Sequence, residues 1–234
     1  MFLTAIAMLV VGQATPMSCP VMGNPLHGEG GEKLTYKGAE YTTCCAGCGA
    51  KFQAEPEKYL KTQAKEGHVV GTFLFDPTTG LRIESKNAKA SSDFGGLRYY
   101  FASESSKKTF DANPKKFVVT PAKEALFCPV SKEAVKDYAA ASGYGDYKGV
   151  RYFFCCGGCE KPFSENPAKY APNAAKAVHA PKVVMQTSEK MADMAFNCKH
   201  CGRKMTVKAG EMAEKCSVCK CGQANSACKP AGTK

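Results

Sequence analysis

Tyr36-Lys37-Gly38-Ala39-Glu40-Tyr41, then Cys44-Cys45-Ala46-Gly47-Cys48, then Phe52 and Pro56-Glu57-Lys58-Tyr59 make up the stretch on which the reading of this chain turns. Its skeleton recurs twice more. Phe52, Phe110 and Phe163 are each followed four residues later by Pro (Pro56, Pro114, Pro167), six later by Lys (Lys58, Lys116, Lys169) and seven later by an aromatic (Tyr59, Phe117, Tyr170). Eleven residues before each Phe lies Tyr (Tyr41, Tyr99, Tyr152). Fourteen before lies Gly (Gly38, Gly96, Gly149), itself two residues after an aromatic (Tyr36, Phe94, Tyr147). Coincidences in one register across three copies identify an internal repeat, which takes precedence over any local reading.

Each copy reads as a short hairpin running into a helix. Gly supplies the positive φ of a tight turn between two strands, and the segment after it carries helical spacing interrupted before the Pro. The repeated aromatics are expected to pack the core. The expected fold class is therefore α+β: tandem small units of β-hairpin plus helix. The expected boundaries are 19–62, 71–120 and 125–171 for the repeats, 172–194 for a linker, 195–222 for a separate C-terminal module and 223–234 for a disordered tail.

The cysteines divide the copies. The first holds Cys19, Cys44, Cys45 and Cys48, and the third Cys128, Cys155, Cys156 and Cys159; the middle copy has Asp76, Ala102, Ser103 and Ser106 at those places. Thiolates four residues apart at the start of a helix, joined by one from an upstream loop, can close around a soft metal ion. Cys19, Cys44 and Cys48 form that set in the first copy, and Cys128, Cys155 and Cys159 in the third. The fourth ligand stays open between the adjacent Cys45 or Cys156 and, in the first copy, the Met22 thioether, where the third copy has Ser131. Three thiolates suit Cu(I) as well as Zn(II), and a helix N-terminus favours the thiolate form. The middle copy reads as a spacer held by packing alone. Disulfides are the competing explanation, since 14 Cys is an even number; the adjacent Cys-Cys pairs weigh against them, because bridging neighbours strains the backbone.

Cys-Pro-Val, then Tyr-Lys-Gly-x-x-Tyr, then Cys-Cys-x-Gly-Cys-x-x-x-Phe-x-x-x-Pro-x-Lys-Tyr resembles the TRASH/YHS domains of heavy-metal trafficking, resistance and sensing. The resemblance covers residues 19–60 and 127–171, with 75–118 as a relative lacking the cysteines. It implies a small hairpin-plus-helix domain around a Cys-bound metal, and so a metal role for Cys19, Cys44, Cys48, Cys128, Cys155 and Cys159.

Further on, Cys198-x-x-Cys201 and Cys216-x-x-Cys219 have the spacing of a zinc ribbon. Cys221 is an alternative fourth ligand there, Cys228 is left over, and Lys204 to Ala213 reads as two short strands turning at Gly210. Ala171 to Thr187, rich in Ala, Lys and Pro, reads as linker.

Composition bounds the function. With 44% hydrophobic residues, no Trp, 22 Gly and 13 Pro in 234 residues, one large core is not expected, and small units need metals or disulfides. The net charge of +11 suggests an anionic partner, yet no concentrated Arg stripe accompanies it, and nucleic acid is not expected. The apolar run Phe2 to Val11 followed by Gly12-Gln13-Ala14 reads as a signal peptide over 1–14, hence export to a periplasmic or extracellular space and no membrane span in the mature chain. No Ser/His/Asp set, phosphate-binding loop or carboxylate pair supports an enzyme. The expected function is non-catalytic binding of Zn(II) and/or Cu(I) for trafficking, buffering or resistance, with metal ions and a metal-transport or efflux protein as partners. The alternative is an interaction scaffold stapled by structural zinc.

Overall fold

The computed structural model describes residues 15–26 and 31–186 and, beyond them, the backbone of three short strands. In chain order the elements begin with β1 (Lys33–Tyr36), β2 (Ala39–Thr42), α1 (Ala46–Ala54), α2 (Pro56–Glu66) and β3 (Gly71–Phe73). Next come β4 (Ala90–Phe94), β5 (Leu97–Phe101), α3 (Glu104–Ala112), α4 (Pro114–Phe117), β6 (Lys123–Ala125), β7 (Phe127–Cys128) and β8 (Glu133–Ala134). The third segment holds β9 (Gly143–Tyr147), β10 (Val150–Phe154), α5 (Glu160–Glu165) and α6 (Pro167–Tyr170), followed by β11 (Val184–Gln186). Strands β12 (Met194–Cys198), β13 (Lys204–Val207) and β14 (Cys228–Pro230) form a sheet of their own in the order β13-β12-β14.

The hairpin, helix, Pro, helix sequence occurs three times. Each hairpin turns through two residues of positive φ, Lys37-Gly38, Gly95-Gly96 and Lys148-Gly149, the backbone pattern of the two-residue turn whose twist matches paired strands. Each Pro starts the second helix at its first position, where the missing N–H costs nothing. The repeated Tyr and Phe meet in every copy: Tyr41–Phe52 and Tyr99–Phe110 at 5.0 Å between ring centres, Tyr152–Phe163 at 5.3 Å. Aromatic pairs at this separation add to the area they bury, so the repeated skeleton is a packing unit that fixes the helix start against the hairpin.

The segments are not separate beads. The first two hairpins share one six-stranded sheet in the order β11-β1-β2-β3-β5-β4, while the third lies in a three-stranded sheet, β6-β10-β9. One core runs through all three, with Phe73 and Phe75 meeting Tyr144 edge to face and Phe75 packing against Phe153 at a tilt. Gly71 is where β3 passes Tyr41: a Cβ there would stand 2.6 Å from the ring. Two buried arginines tie the ends in. Arg98 pairs with Asp93 and donates to the Thr15 carbonyl; Arg151 pairs with Asp146, donates to the Val119 carbonyl and lies 4.0 Å from the centre of the Tyr144 ring.

Two expectations need correction. The supposed linker is built into the fold: Ala171 and Ala174 are buried in a 3-10 turn, His179 bridges to Glu124, and β11 pairs with β1. Ala-rich composition signals small side chains for close packing as readily as a loose tether. In the tail, Cys228–Pro230 forms β14 against β12, with Cys198 opposite Cys228, where disorder was expected. Likewise β13 pairs with Met194–Cys198 on its N-terminal side.

Candidate metal centres

Both metal sets start at the same kind of turn. Cys19-Pro20 and Cys128-Pro129 open loops in which the residue four positions on has positive φ (Gly23, Lys132) and donates its N–H to the Cys carbonyl at 2.9 Å. One residue later the chain comes back beside the cysteine: the Asn24 carbonyl accepts from Cys19 N–H at 2.8 Å, and Glu133 is the ladder partner of Cys128. The turn points backbone N–H groups at the sulfur. Those of Val21, Met22 and Cys44 meet Cys19; those of Val130, Ser131 and Cys155 meet Cys128.

The second and third thiols come from the end of the hairpin and the start of the helix. Cys44 and Cys48 place their sulfurs 3.8 Å apart, and the sulfurs of Cys19, Cys44 and Cys48 all lie within 4.8 Å of one another. Cys128, Cys155 and Cys159 form the matching group within the same 4.8 Å. Thiolates bound tetrahedrally at about 2.3 Å from Zn(II) stand about 3.8 Å apart, so each group needs little movement to hold an ion. The described cysteines are free thiols.

The helix geometry differs from the expected one. Cys45 is the residue capping α1, with extended φ and ψ, so Cys44 lies outside the helix; in the third segment Cys159 itself caps α5 and Cys155 is farther out. The thiols converge across the cap, through the turn in which Cys48 N–H donates to the Cys45 carbonyl and Cys159 N–H to that of Cys156. Cys45 and Cys156 lie beside their groups, their sulfurs 3.3 Å from Cys48 and Cys159 and also in hydrogen-bonding contact with the adjacent Cys44 and Cys155.

The ionisation order follows from these contacts. Burial pushes Cys128 up, but the Ser131 hydroxyl and the backbone N–H groups of the turn outweigh it and bring the thiol down to about 7. Cys19 is lowered by its turn in the same way against its burial. Cys48 and Cys159 are raised, first by burial and then by giving their protons to neighbouring sulfurs. Cys45 and Cys156 are lowered, chiefly because Cys48 and Cys159 donate to them. The lowered thiols are thus the upstream loop cysteines, Cys19 and Cys128, and the second cysteine of each adjacent pair, Cys45 and Cys156. An incoming cation displaces the protons held between sulfurs.

The middle segment answers with another chemistry. Asp76 is 1% exposed; its carboxylate accepts from Thr78 N–H and hydroxyl at 2.9 and 2.6 Å and from Ala102 N–H at 3.1 Å. Gly80, with positive φ, donates to the Asp76 carbonyl, and Asp76 N–H to that of Leu81. The turn is therefore the same one, with a carboxylate replacing the thiolate. Ser103 caps α3 by accepting from Ser106 N–H at 3.0 Å, and the two hydroxyls bond to each other at 3.0 Å, where the other segments have paired sulfurs. Substitution of Asp for Cys at this place was legible; its buried network was not.

Cys201, Cys216, Cys219 and Cys221 lie outside the described residues, as do 1–14; of Cys198 only the strand backbone is described. Among the described residues no helix is long and apolar enough to cross a membrane. Comparison with curated proteins and with solved structures finds no match to this chain. The YHS domain family matches it at two regions, residues 17–63 and 129–174; the first holds Cys19, Cys44 and Cys48, and the second holds Cys155 and Cys159 and begins one residue after Cys128.

Proposed function

We propose that this chain is a non-catalytic heavy-metal binding protein that accepts and releases Cu or Zn outside the cytoplasm. The two YHS-matching segments hold the exchangeable sites, the middle segment is a third copy of the same domain that has lost its ligands, and the C-terminal cysteines form a zinc ribbon. The observation that carries this reading is the middle segment itself. It keeps the hairpin, the turn and the capped helix with Asp76, Ser103 and Ser106 in place of thiols. A fold that closes without metal in one copy does not need metal as a staple in the others. Each thiol group also has a way to the surface, through the exposed Cys44 in the first segment and through the half-buried Cys155 with the exposed Cys156 beside it in the third, which suits transfer to a competing thiolate ligand by stepwise ligand exchange.

Exchange kinetics test this. Loaded with Zn(II) and mixed with a thiol-rich competitor, the chain is expected to give up the metal of both repeats while its circular dichroism is unchanged. Unfolding in step with metal loss would support the scaffold reading instead.

A further inference from the structure

The two thiol groups are alike in sulfur and unlike in what surrounds it. In the third segment Glu133 is the cross-strand partner of Cys128 in the β7–β8 hairpin; directly opposed residues put their side chains on the same face. Its carboxylate is an acceptor for the Cys155 thiol, standing at the edge of the site outside the three sulfurs that lie within 4.8 Å of one another, so a small swing of this exposed side chain would bring it in as a fourth ligand. Ser131, two residues earlier, has its hydroxyl 3.1 Å from the Cys155 sulfur. In the first segment the place of Glu133 is taken by Asn24, a neutral amide, and the place of Ser131 by Met22. Met22 is 55% exposed, a large apolar side chain left at the surface of the turn that holds Cys19, with its N–H aimed at the Cys19 sulfur. A side chain at that position reaches the thiol group, as the much shorter Ser131 shows.

We propose that the two groups sort metals: the third-segment site, completed by the Glu133 carboxylate, takes a borderline divalent ion such as Zn(II), and the first-segment site, completed by the Met22 thioether, takes a soft monovalent ion such as Cu(I). This rests on the metal-binding reading above. Carboxylate oxygen is an ordinary Zn(II) ligand at tetrahedral distance, whereas Cu(I) gains nothing from it and is selected by thiolate and thioether sulfur. The fourth ligand therefore decides the preference, the three thiolates being common to both. One chain then carries both ions without either displacing the other.

The experiment uses the full chain in two backgrounds, Cys48→Ser to leave the third-segment site and Cys159→Ser to leave the first. Each is titrated with Zn(II) and with Cu(I) against a chromophoric chelator, and the bound ion is examined by X-ray absorption. In the Cys48→Ser background, Glu133→Gln is expected to weaken Zn(II) at least about tenfold and leave Cu(I) within about twofold, with the zinc shell changing from three sulfurs plus one oxygen. In the Cys159→Ser background, Met22→Leu is expected to weaken Cu(I) about tenfold and leave Zn(II) unchanged. Glu133 and Met22 are both exposed, so neither change threatens folding. The C-terminal cysteines are common to every sample and cancel in the comparison. Equal preferences in the two backgrounds, or a zinc shell unaltered by Glu133→Gln, would overturn the sorting while leaving metal binding intact. A chain that binds neither ion at either site would overturn metal binding itself.

Discussion

The third segment and the middle one build the same turn around different chemistry, with α5 starting one turn later in the repeat than α3. At Cys128 the turn's N–H groups face a thiolate that a metal can share. At Asp76 the same groups face a carboxylate whose hydrogen bonds are all used inside the protein. Both turns gather N–H donors around an acceptor side chain; on the proposed reading, whether that acceptor is also a ligand depends on two further residues, sulfur at Cys155 and Cys159 against Ala102 and Ser106, and metal binding is layered onto a scaffold that closes without it in the middle segment.

The comparison breaks most sharply at the helix-side thiol. Cys48→Ser or Cys159→Ser removes a buried sulfur central to its group and is expected to abolish metal binding at that segment, an affinity loss of about a hundredfold or more from losing one of so few soft donors. Cys45→Ser and Cys156→Ser remove sulfurs that flank the group without belonging to its three convergent thiols, and about a tenfold loss is expected. Competition with a chelator measures both; equal losses would show that the adjacent pair binds the ion together.

Next in size is Asp76→Ala, which removes the buried acceptor shared by the Thr78 and Ala102 N–H groups. A cost of about 1–3 kcal/mol is expected, read as a fall in denaturation midpoint that added metal does not reverse. Asp76→Asn, which keeps an acceptor of the same shape, should cost less than half of that. The converse change is Cys128→Asp. It should end metal binding in the third segment yet shift the stability of the metal-free chain by less than about 1 kcal/mol, since the turn again holds an anion.

The Asp76 result also marks how far the sequence could be read. The spacing of Phe, Pro, Tyr and Gly sets the hairpin turns, the helix starts and the aromatic contacts of every copy, because each is a local requirement of a short unit. The positions of the helix-side thiols, Cys44 and Cys48 and their counterparts Cys155 and Cys159, follow from the same register, and the Cys-Pro pairs mark the upstream ones. What depends on distant parts of the chain was not legible. Strand β11 completes the sheet beside β1 across some 150 residues, and Ala171 to Thr187 therefore looked like a tether. The buried Arg98 and Arg151 sit opposite Asp93 and Asp146 only once the hairpins form, although the identical spacing of the two pairs was a usable signal. Cys44 and Cys48 were assigned to one helical turn because the spacing of four fits it; the cap at Cys45 moves Cys44 off the helix, and convergence comes from the turn instead.

The smallest effect separates two neighbouring sulfurs. Cys155 and Cys156 are adjacent, yet their thiols shift in opposite directions. For Cys155 the Ser131 hydroxyl pulls the thiol down, but burial and the sharing of its proton with Cys128 and Glu133 outweigh it and leave it raised. Cys156 is exposed and lowered, because Cys159 and the Gly158 N–H donate to it. The thiolate is the nucleophile, so in the metal-free chain Cys156 is expected to be alkylated several-fold faster than Cys155, and Cys159, buried and raised, slowest of the three. Lowering the pH should slow all three while preserving that order. Removing the donor by Cys159→Ala should slow Cys156 alone, as its thiol returns toward its ordinary value. Mass spectrometry of peptides from timed quenches reads each site separately. In the middle segment Ser103 and Ser106 keep the same cap contact but offer no thiolate, so labelling there is the blank against which the others are set. A uniform rate across the three cysteines would mean that the hydrogen bonds at the cap do not order their ionisation, and the polarised thiol group described here would lose its basis.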